Sequence, residues 1–294
     1  MYERILVPLD GSGLAEQVLS SVSELARVFD SEAILVGVCE SGESQEREAC
    51  RLYIDNKSGE LKAGMKPSAA KFKTVVLVGK SADQILTFAE KNDVNLIVMT
   101  SHGRSGIAPW SLGSTARKVL HKVGVPLIIV RARETPQKSD EAGLFSRILV
   151  LLDGSERGEK PLPYIAELAK RLKPEVILFR VVEPGMQVHS VGGAEYIPFK
   201  DIDIDSMKAK AKKYLEETSS KLAGTKAIIR CEVRVGDAAK EIIKFARKAD
   251  CSLIAMASHG HSGIEVWIHG SVTSKVLEAS NKSVWLIPAL ETSG

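Results

Sequence analysis

The 294-residue chain has no long apolar run, few aromatic residues (5%) and no marked excess of either charge. No apolar stretch approaches the roughly 20 residues that a membrane-spanning helix needs, so no membrane partner is expected. The net charge is only +3, and Lys and Arg alternate with Glu and Asp instead of clustering, which argues against nucleic acid. The four cysteines, Cys39, Cys50, Cys231 and Cys251, show no CxxC spacing and do not recur at matching places. Reduced, mostly buried thiols are expected, with no metal site and no disulfide framework. Met1-Tyr2-Glu3-Arg4 opens straight into a β-like run without a signal-peptide pattern, so a cytoplasmic location is expected. A GxSxG nucleophile elbow is missing, and so is the lysine of a GxxxxGK[ST] loop.

What is there is a repeat. SHGRSGIAPWSLGSTARKVL at Ser101–Leu120 returns as SHGHSGIEVWIHGSVTSKVL at Ser258–Leu277. Each copy follows an apolar run, NLIVMT at Asn95–Thr100 and SLIAMA at Ser252–Ala257, and leads into a helical pattern. The repeat reaches further: Arg4–Ser12 (RILVPLDGS) returns as Arg147–Ser155 (RILVLLDGS), 143 residues on, whereas Val78 returns as Val235, 157 on. The second half therefore carries 14 more residues, which fall most naturally in the Gly- and Pro-containing stretch Glu183–Ser206. The polar run Arg131–Gly143 reads as a linker, giving two domains, 1–133 and 144–294.

Within the first half, apolar runs at Arg4–Leu9, Glu32–Val38, Lys73–Val78, Asn95–Thr100 and Pro126–Val130 predict strands. Helices are predicted between them over Leu14–Phe29, Ala82–Lys91 and Ser114–Val123, with a weaker helical region, Gln45–Ala70, interrupted by Gly59 and Gly64. Short strands that are apolar on both faces and alternate with helices imply an α/β fold, a parallel sheet covered on both sides. Ligands of such sheets sit at the carboxyl ends of the strands, where strand order reverses.

The repeated loop suits an anion. Gly103 permits close approach of a phosphate, and Gly113, Ser114 and Thr115 open a helix whose free N–H groups and positive dipole end would face it. Gly260, Gly270 and Ser271 offer the same in the second half. Glycines and serines also simply turn a chain and cap a helix; two near-identical loops at matching places favour the ligand. Asp10 and Asp153 end the first strand of each half before Gly-Ser, where each could accept a ribose hydroxyl or cap the following turn. Three other features carry less. His259-x-His261 lacks a third metal ligand, Trp110 and Trp267 more naturally pin their loops, and Asp201-x-Asp203-x-Asp205 lacks the glycine and glutamate of a calcium loop.

A strand ending in P-x-D-G-S, followed after the fourth strand by an S-H-G-x9-G-S loop, resembles the universal stress protein family over essentially the whole chain, as two tandem copies. ATP-binding members of that family carry G-x2-G-x9-G-[ST]. Gly103 with Gly113-Ser114, and Gly260 with Gly270-Ser271, fit its latter part, while Thr100 and Ala257 stand in place of the leading glycine. The resemblance implies two Rossmann-like domains of the adenine nucleotide alpha hydrolase type, each a five-stranded parallel sheet of order 3-2-1-4-5, paired about a pseudo-twofold axis through their last strands.

It also implies an adenine nucleotide, ATP with or without Mg²⁺, bordered by Asp10 and Val38 and held by Thr100, Gly103, Arg104, Gly113, Ser114 and Thr115. The second-half counterparts are Asp153, Val182, Ala257, Gly260, His261, Gly270, Ser271 and Val272. Arg104 carries a fixed charge where His261 is mostly neutral, so the first site is expected to hold phosphate more strongly. The implied role is a stress-signalling or tolerance switch without turnover. A slow ATPase and an interaction module with vestigial sites are the alternatives.

Overall fold

A computed structural model describes residues 1–64, 71–103, 112–133, 142–184, 203–258 and 271–288. The first half runs β1 (Arg4–Leu9), α1 (Leu19–Phe29), β2 (Glu32–Cys39), α2 (Ser44–Ala63), β3 (Lys71–Val78), α3 (Ser81–Lys91), β4 (Leu96–Thr100), α4 (Ser114–Lys122) and β5 (Leu127–Val130). The second half repeats it: β6 (Arg147–Leu151), α5 (Pro161–Arg171), β7 (Glu175–Val182), α6 (Ile204–Ser219), β8 (Ile228–Val235), α7 (Ala238–Lys248), β9 (Leu253–Ala257), α8 (Ser271–Ala279) and β10 (Ser283–Ile287).

Two local departures from the sequence reading have physical causes. The predicted helix Leu14–Phe29 begins as a 3-10 turn at Ala15–Val18, because the preceding turn, tied to Asp10, feeds it at a tighter pitch. The weaker helix α2 runs unbroken through Gly59, where an added side chain would meet nothing, and stops at Gly64. Its exposed face needs no side chain at Gly59, so the glycine costs propensity without ending the helix. Most of the expected insertion, residues 185–202, and of the expected linker, residues 134–141, lies outside the described residues.

All strands join one ten-stranded sheet of order β3-β2-β1-β4-β5-β10-β9-β6-β7-β8. Pairing is parallel within each half, and β5 meets β10 antiparallel through Ile129–Val284, Ile128–Trp285 and Leu127–Leu286. Alternate side chains feed two apolar layers, as the two-residue period of a strand requires. Ile5, Val7 and Leu9 face Val22 and Leu25 of α1. Leu6 faces the opposite layer, with Ile85 of α3 and Val119 of α4. The outer strands β3 and β8 are partly exposed and carry Lys71, Lys73, Arg230 and Arg234, charges that discourage further strand addition. No helix among the described residues is long and apolar enough to cross a membrane.

The seam between the halves is built from side chains as well as the ladder. Trp285 of β10 is fully buried, with ring centroids of Tyr2 and Tyr164 each 6.1 Å away and Phe145 at 6.5 Å. The Tyr2 hydroxyl donates to the Tyr164 carbonyl at 2.7 Å. Arg131, just past β5, donates to the carbonyls of Leu277 (2.8 Å) and Ser280 (2.5 Å), and Arg133 to that of Asn281 (2.8 Å). These arginines satisfy the last carbonyls of α8 and the turn after it, where the helix dipole is negative. The start of the expected linker is thus a clamp on the second half.

The Trp285 indole N–H is buried without a hydrogen-bond partner. Trp285→Ala should cost about 3–5 kcal/mol, the usual range for emptying a buried aromatic site. Trp285→Phe removes the orphan donor and keeps most of the ring volume, so it should cost clearly less. Urea unfolding of both variants checks the order; equal losses would show that the ring volume is not what the seam requires.

Candidate functional site

Strand order reverses between β1 and β4, and there the carboxyl ends of β1, β2 and β4 open into a cleft of about 660 Å³. Asp10, Val38, Thr100, Gly103, Gly113, Ser114 and Thr115 all line it. Arg104 lies outside the described residues.

Asp10 ends β1 and works in two directions. Its Oδ1 accepts the Ser12 N–H (3.0 Å) and the Ser12 hydroxyl (2.6 Å), while Ser12 Oγ accepts the Ala15 N–H (3.2 Å). That is the turn-capping role that Asp-Gly-Ser suggests, with Gly11 at a left-handed φ of 87°. Oδ2 presses on the β4 loop instead: a Cβ added to Gly103 would overlap it. A side chain at 103 would therefore displace the Asp10 carboxylate, which the glycine leaves in place.

The loop after β4 is tied back to β5. The Ser101 N–H donates to the Val130 carbonyl (2.8 Å), and Ser101 Oγ accepts the Ala132 N–H (3.0 Å). The Thr100 hydroxyl donates to the His102 carbonyl (2.7 Å), so Thr100 shapes the loop while it lines the cleft. Beyond the loop, the Gly113 N–H donates to the Ser101 carbonyl (2.8 Å). The N-cap of α4 is Gly113, which brings no capping side chain, and the first-turn residues Ser114, Thr115 and Ala116 lie at the cleft wall. A helix start with free N–H groups is a site suited to an anion.

The opposite wall was not singled out from sequence: Cys39 and Glu40 at the end of β2, and Glu46, Cys50 and Tyr53 on one face of α2. The signal that finds them is the strand order, which places the end of β2 beside Asp10, and the four- and three-residue spacing along α2. The Ser41 hydroxyl bonds to Glu46 and holds its carboxyl below the usual range. The Tyr53 hydroxyl donates to Glu16 (3.1 Å), and burial, then the Glu16 charge, pushes its pKa up. The cleft thus has an apolar floor that includes Leu9, Val36, Val38 and Met99, with carboxylates on the β2–α2 wall and glycine backbone, hydroxyls and a positive helix end on the β4–α4 wall. Among the described residues its lining holds no lysine or arginine.

In the second half, Asp153 repeats the turn, accepting the Ser155 N–H (2.9 Å) and hydroxyl (2.6 Å). Val182 and Ala257 are buried at the ends of β7 and β9, and Ser271 and Val272 open α8. Gly260, His261 and Gly270 lie outside the described residues. Ladder register refines one correspondence. Arg4 pairs with Glu32 and Arg147 with Glu175, so the counterpart of Val38 is Val181, and Val182 matches Cys39. Val38 and Val181 both pack on the same apolar layer. A slip of one residue on a strand moves a side chain to the other face.

Two doubly wound halves in one sheet, the first with a cleft at its switch point, define a class of α/β proteins; comparison with known proteins narrows it. The family model described as "Universal stress protein family" matches residues 1–131 and again 144–288, so the chain belongs to that family. The universal stress protein YxiE of Bacillus subtilis is 31% identical over 147 residues, 49% of this chain and 99% of that protein. MJ0577 of Methanocaldococcus jannaschii is 26% identical over 159 residues, 46% of this chain and 98% of its own length. The crystal structure of a universal stress protein from Archaeoglobus fulgidus DSM 4304 superposes with a TM-score of 0.71. It covers 99% of this chain and 100% of its own at 19% identity, a likeness of fold.

Burial of His102 in the cleft, then the Arg131 charge, lowers its pKa from the usual histidine value. A depressed histidine contributes stability that is present above its unfolded pKa of about 6.5 and is lost as pH falls below it, since only the unfolded chain takes the proton. Stability should therefore drop between pH 7.5 and 5.5, and His102→Gln should flatten that drop. Urea midpoints at the two pH values test this; an unchanged slope in the variant would place the pH response elsewhere.

Proposed function

We propose that the chain binds an adenine nucleotide, ATP in preference to AMP, in the first-half cleft, and that occupancy serves as a stress-signalling or tolerance switch. The observation that carries this is the cleft itself. It lies at the strand-order switch point, is large enough for a nucleotide, and has the glycine-led start of α4 on one wall. Phosphates would meet the N–H groups of Ser114, Thr115 and Ala116, with the Ser114 and Thr115 hydroxyls beside them. The carboxylates Glu40 and Glu46 repel phosphate from the opposite wall, so base and ribose would lie toward β2, within reach of Asp10 Oδ2. Mg²⁺ would arrive on the phosphates; among the described residues no cluster of acidic, His or Cys side chains is placed to hold a metal.

The reading as a switch, in place of an ATPase, is supported by the way the described imidazole is engaged in the loop. His102 is the described imidazole at the cleft, and its Nδ1 meets the Ser101 hydroxyl at 3.1 Å. That hydroxyl already accepts the Ala132 N–H, so the pair is engaged in holding the loop.

Calorimetry with ATP, ADP and AMP in the presence of Mg²⁺ should show binding, tightest for ATP. Gly113→Val brings a branched side chain to the phosphate wall; its Cβ would stand 3.2 Å from the Ser101 carbonyl oxygen, a contact met by a small shift. The φ of −57° at Gly113 suits any residue, so folding should survive. Losing one hydrogen bond to a charged phosphate costs about 1.5–3 kcal/mol, so the ATP Kd should rise about tenfold or more. Absence of binding by all three nucleotides at millimolar concentration would leave the cleft without this function.

A further inference from the structure

The two halves differ most at one strand position. Register places Leu9 opposite Gly37, and in the second half the same place on β7 is Arg180. In the first half no side chain fits there: a Cβ on Gly37 would fall on Cys50 Sγ of α2. The helices align through their tyrosines, since Tyr53 donates to Glu16 and Tyr214 to Glu159 (2.8 Å) at corresponding points. Three residues before each tyrosine stand Cys50 and Ala211. Bulk has been exchanged between strand and helix, Gly37 with Cys50 in one half and Arg180 with Ala211 in the other.

The exchange is not neutral for the cleft. A cysteine on α2 stays at the wall, whereas an arginine on the strand reaches across. Gly11, Cys50 and Tyr53 all line the first-half cleft. The counterparts of Gly11 and Tyr53 are Gly154 and Tyr214, and the Arg180 guanidinium lies between them. Its nitrogens are 2.8 Å from where a Cβ on Gly154 would stand, and its central carbon is 4.9 Å from the Tyr214 ring centre. A guanidinium on an aromatic face is held by cation–π attraction, and its charge persists at any ordinary pH.

We propose that Arg180 fills, in the second half, the part of the cleft that receives the nucleoside in the first, so that the chain takes one adenine nucleotide and not two. This rests on the nucleotide reading above. It makes Arg180 a residue that determines occupancy, and it lets two halves with nearly identical loop sequences differ in what they bind.

Calorimetric titration of the full chain with ATP and Mg²⁺ tests it through stoichiometry. The unaltered chain should bind one equivalent, and Arg180→Ala should bind two. A second variant removes dependence on how Arg180→Ala folds. Gly37→Arg combined with Cys50→Ala transplants the plug into the first half, and should lower stoichiometry from one to zero with the thermal transition retained. Two equivalents bound by the unaltered chain, a site lost in Arg180→Ala, or full binding by the folded transplant would overturn the plug while leaving nucleotide binding intact. One equivalent bound by both the unaltered chain and Arg180→Ala would do the same. No nucleotide bound by the unaltered chain would overturn both readings together.

Discussion

The antiparallel pair β5–β10 is the contact on which the rest of the architecture depends. A five-stranded half ends in an apolar strand, LIIV in one case and SVWLI in the other, whose outer edge would otherwise present unpaired N–H and C=O groups. Pairing the two edges satisfies both and makes each half the cover of the other. It also fixes where the clefts lie. Because the halves run in opposite directions across the seam, the carboxyl ends of their strands emerge on opposite edges of the ten-stranded sheet. The two switch points are therefore separate places that cannot share a ligand.

The chemistry of the described cleft wall follows from local backbone needs. Asp10 must cap its own turn, Gly103 leaves the Asp10 carboxylate in place, and Gly113 brings a helix start against the Ser101 carbonyl. Donors assembled in this way are mostly backbone amides and hydroxyls, each contributing modestly once desolvation is counted. Such a wall suits a ligand that must come and go with its concentration.

Much of the fold was legible because its causes are local. Strands buried on both faces read as runs of Val, Ile and Leu, and β1, β4 and β5 lie within a residue or so of the runs that predict them. The repeated Asp-Gly-Ser and Gly-x9-Gly-Ser patterns pointed to one edge of the sheet because glycines there answer to close contacts. What could not be read depends on partners distant in sequence. Arg131 looks like the start of a polar linker until its bonds to Leu277 and Ser280 are seen. Gly37 looks like a weak point in a strand until Cys50 is found against it. The resemblance implies Val182 as the counterpart of Val38, and only the ladder register shows the one-residue offset. Arg180 carries no motif at all; its meaning comes from Gly154 and Tyr214 on either side.

The Arg131 clamp shows what covalent linkage permits. Its counterpart past β10, by register of β4–β5 and β9–β10, is Pro288, which has no side-chain donor. In a symmetric pair of identical chains every contact is made twice, so a residue useful on one side must also be tolerable on the other. Tethering releases that condition, because the effective concentration of one half near the other replaces the need for self-complementarity. Each half is then free to diverge where a symmetric pair is not, as Arg131 and Pro288 do.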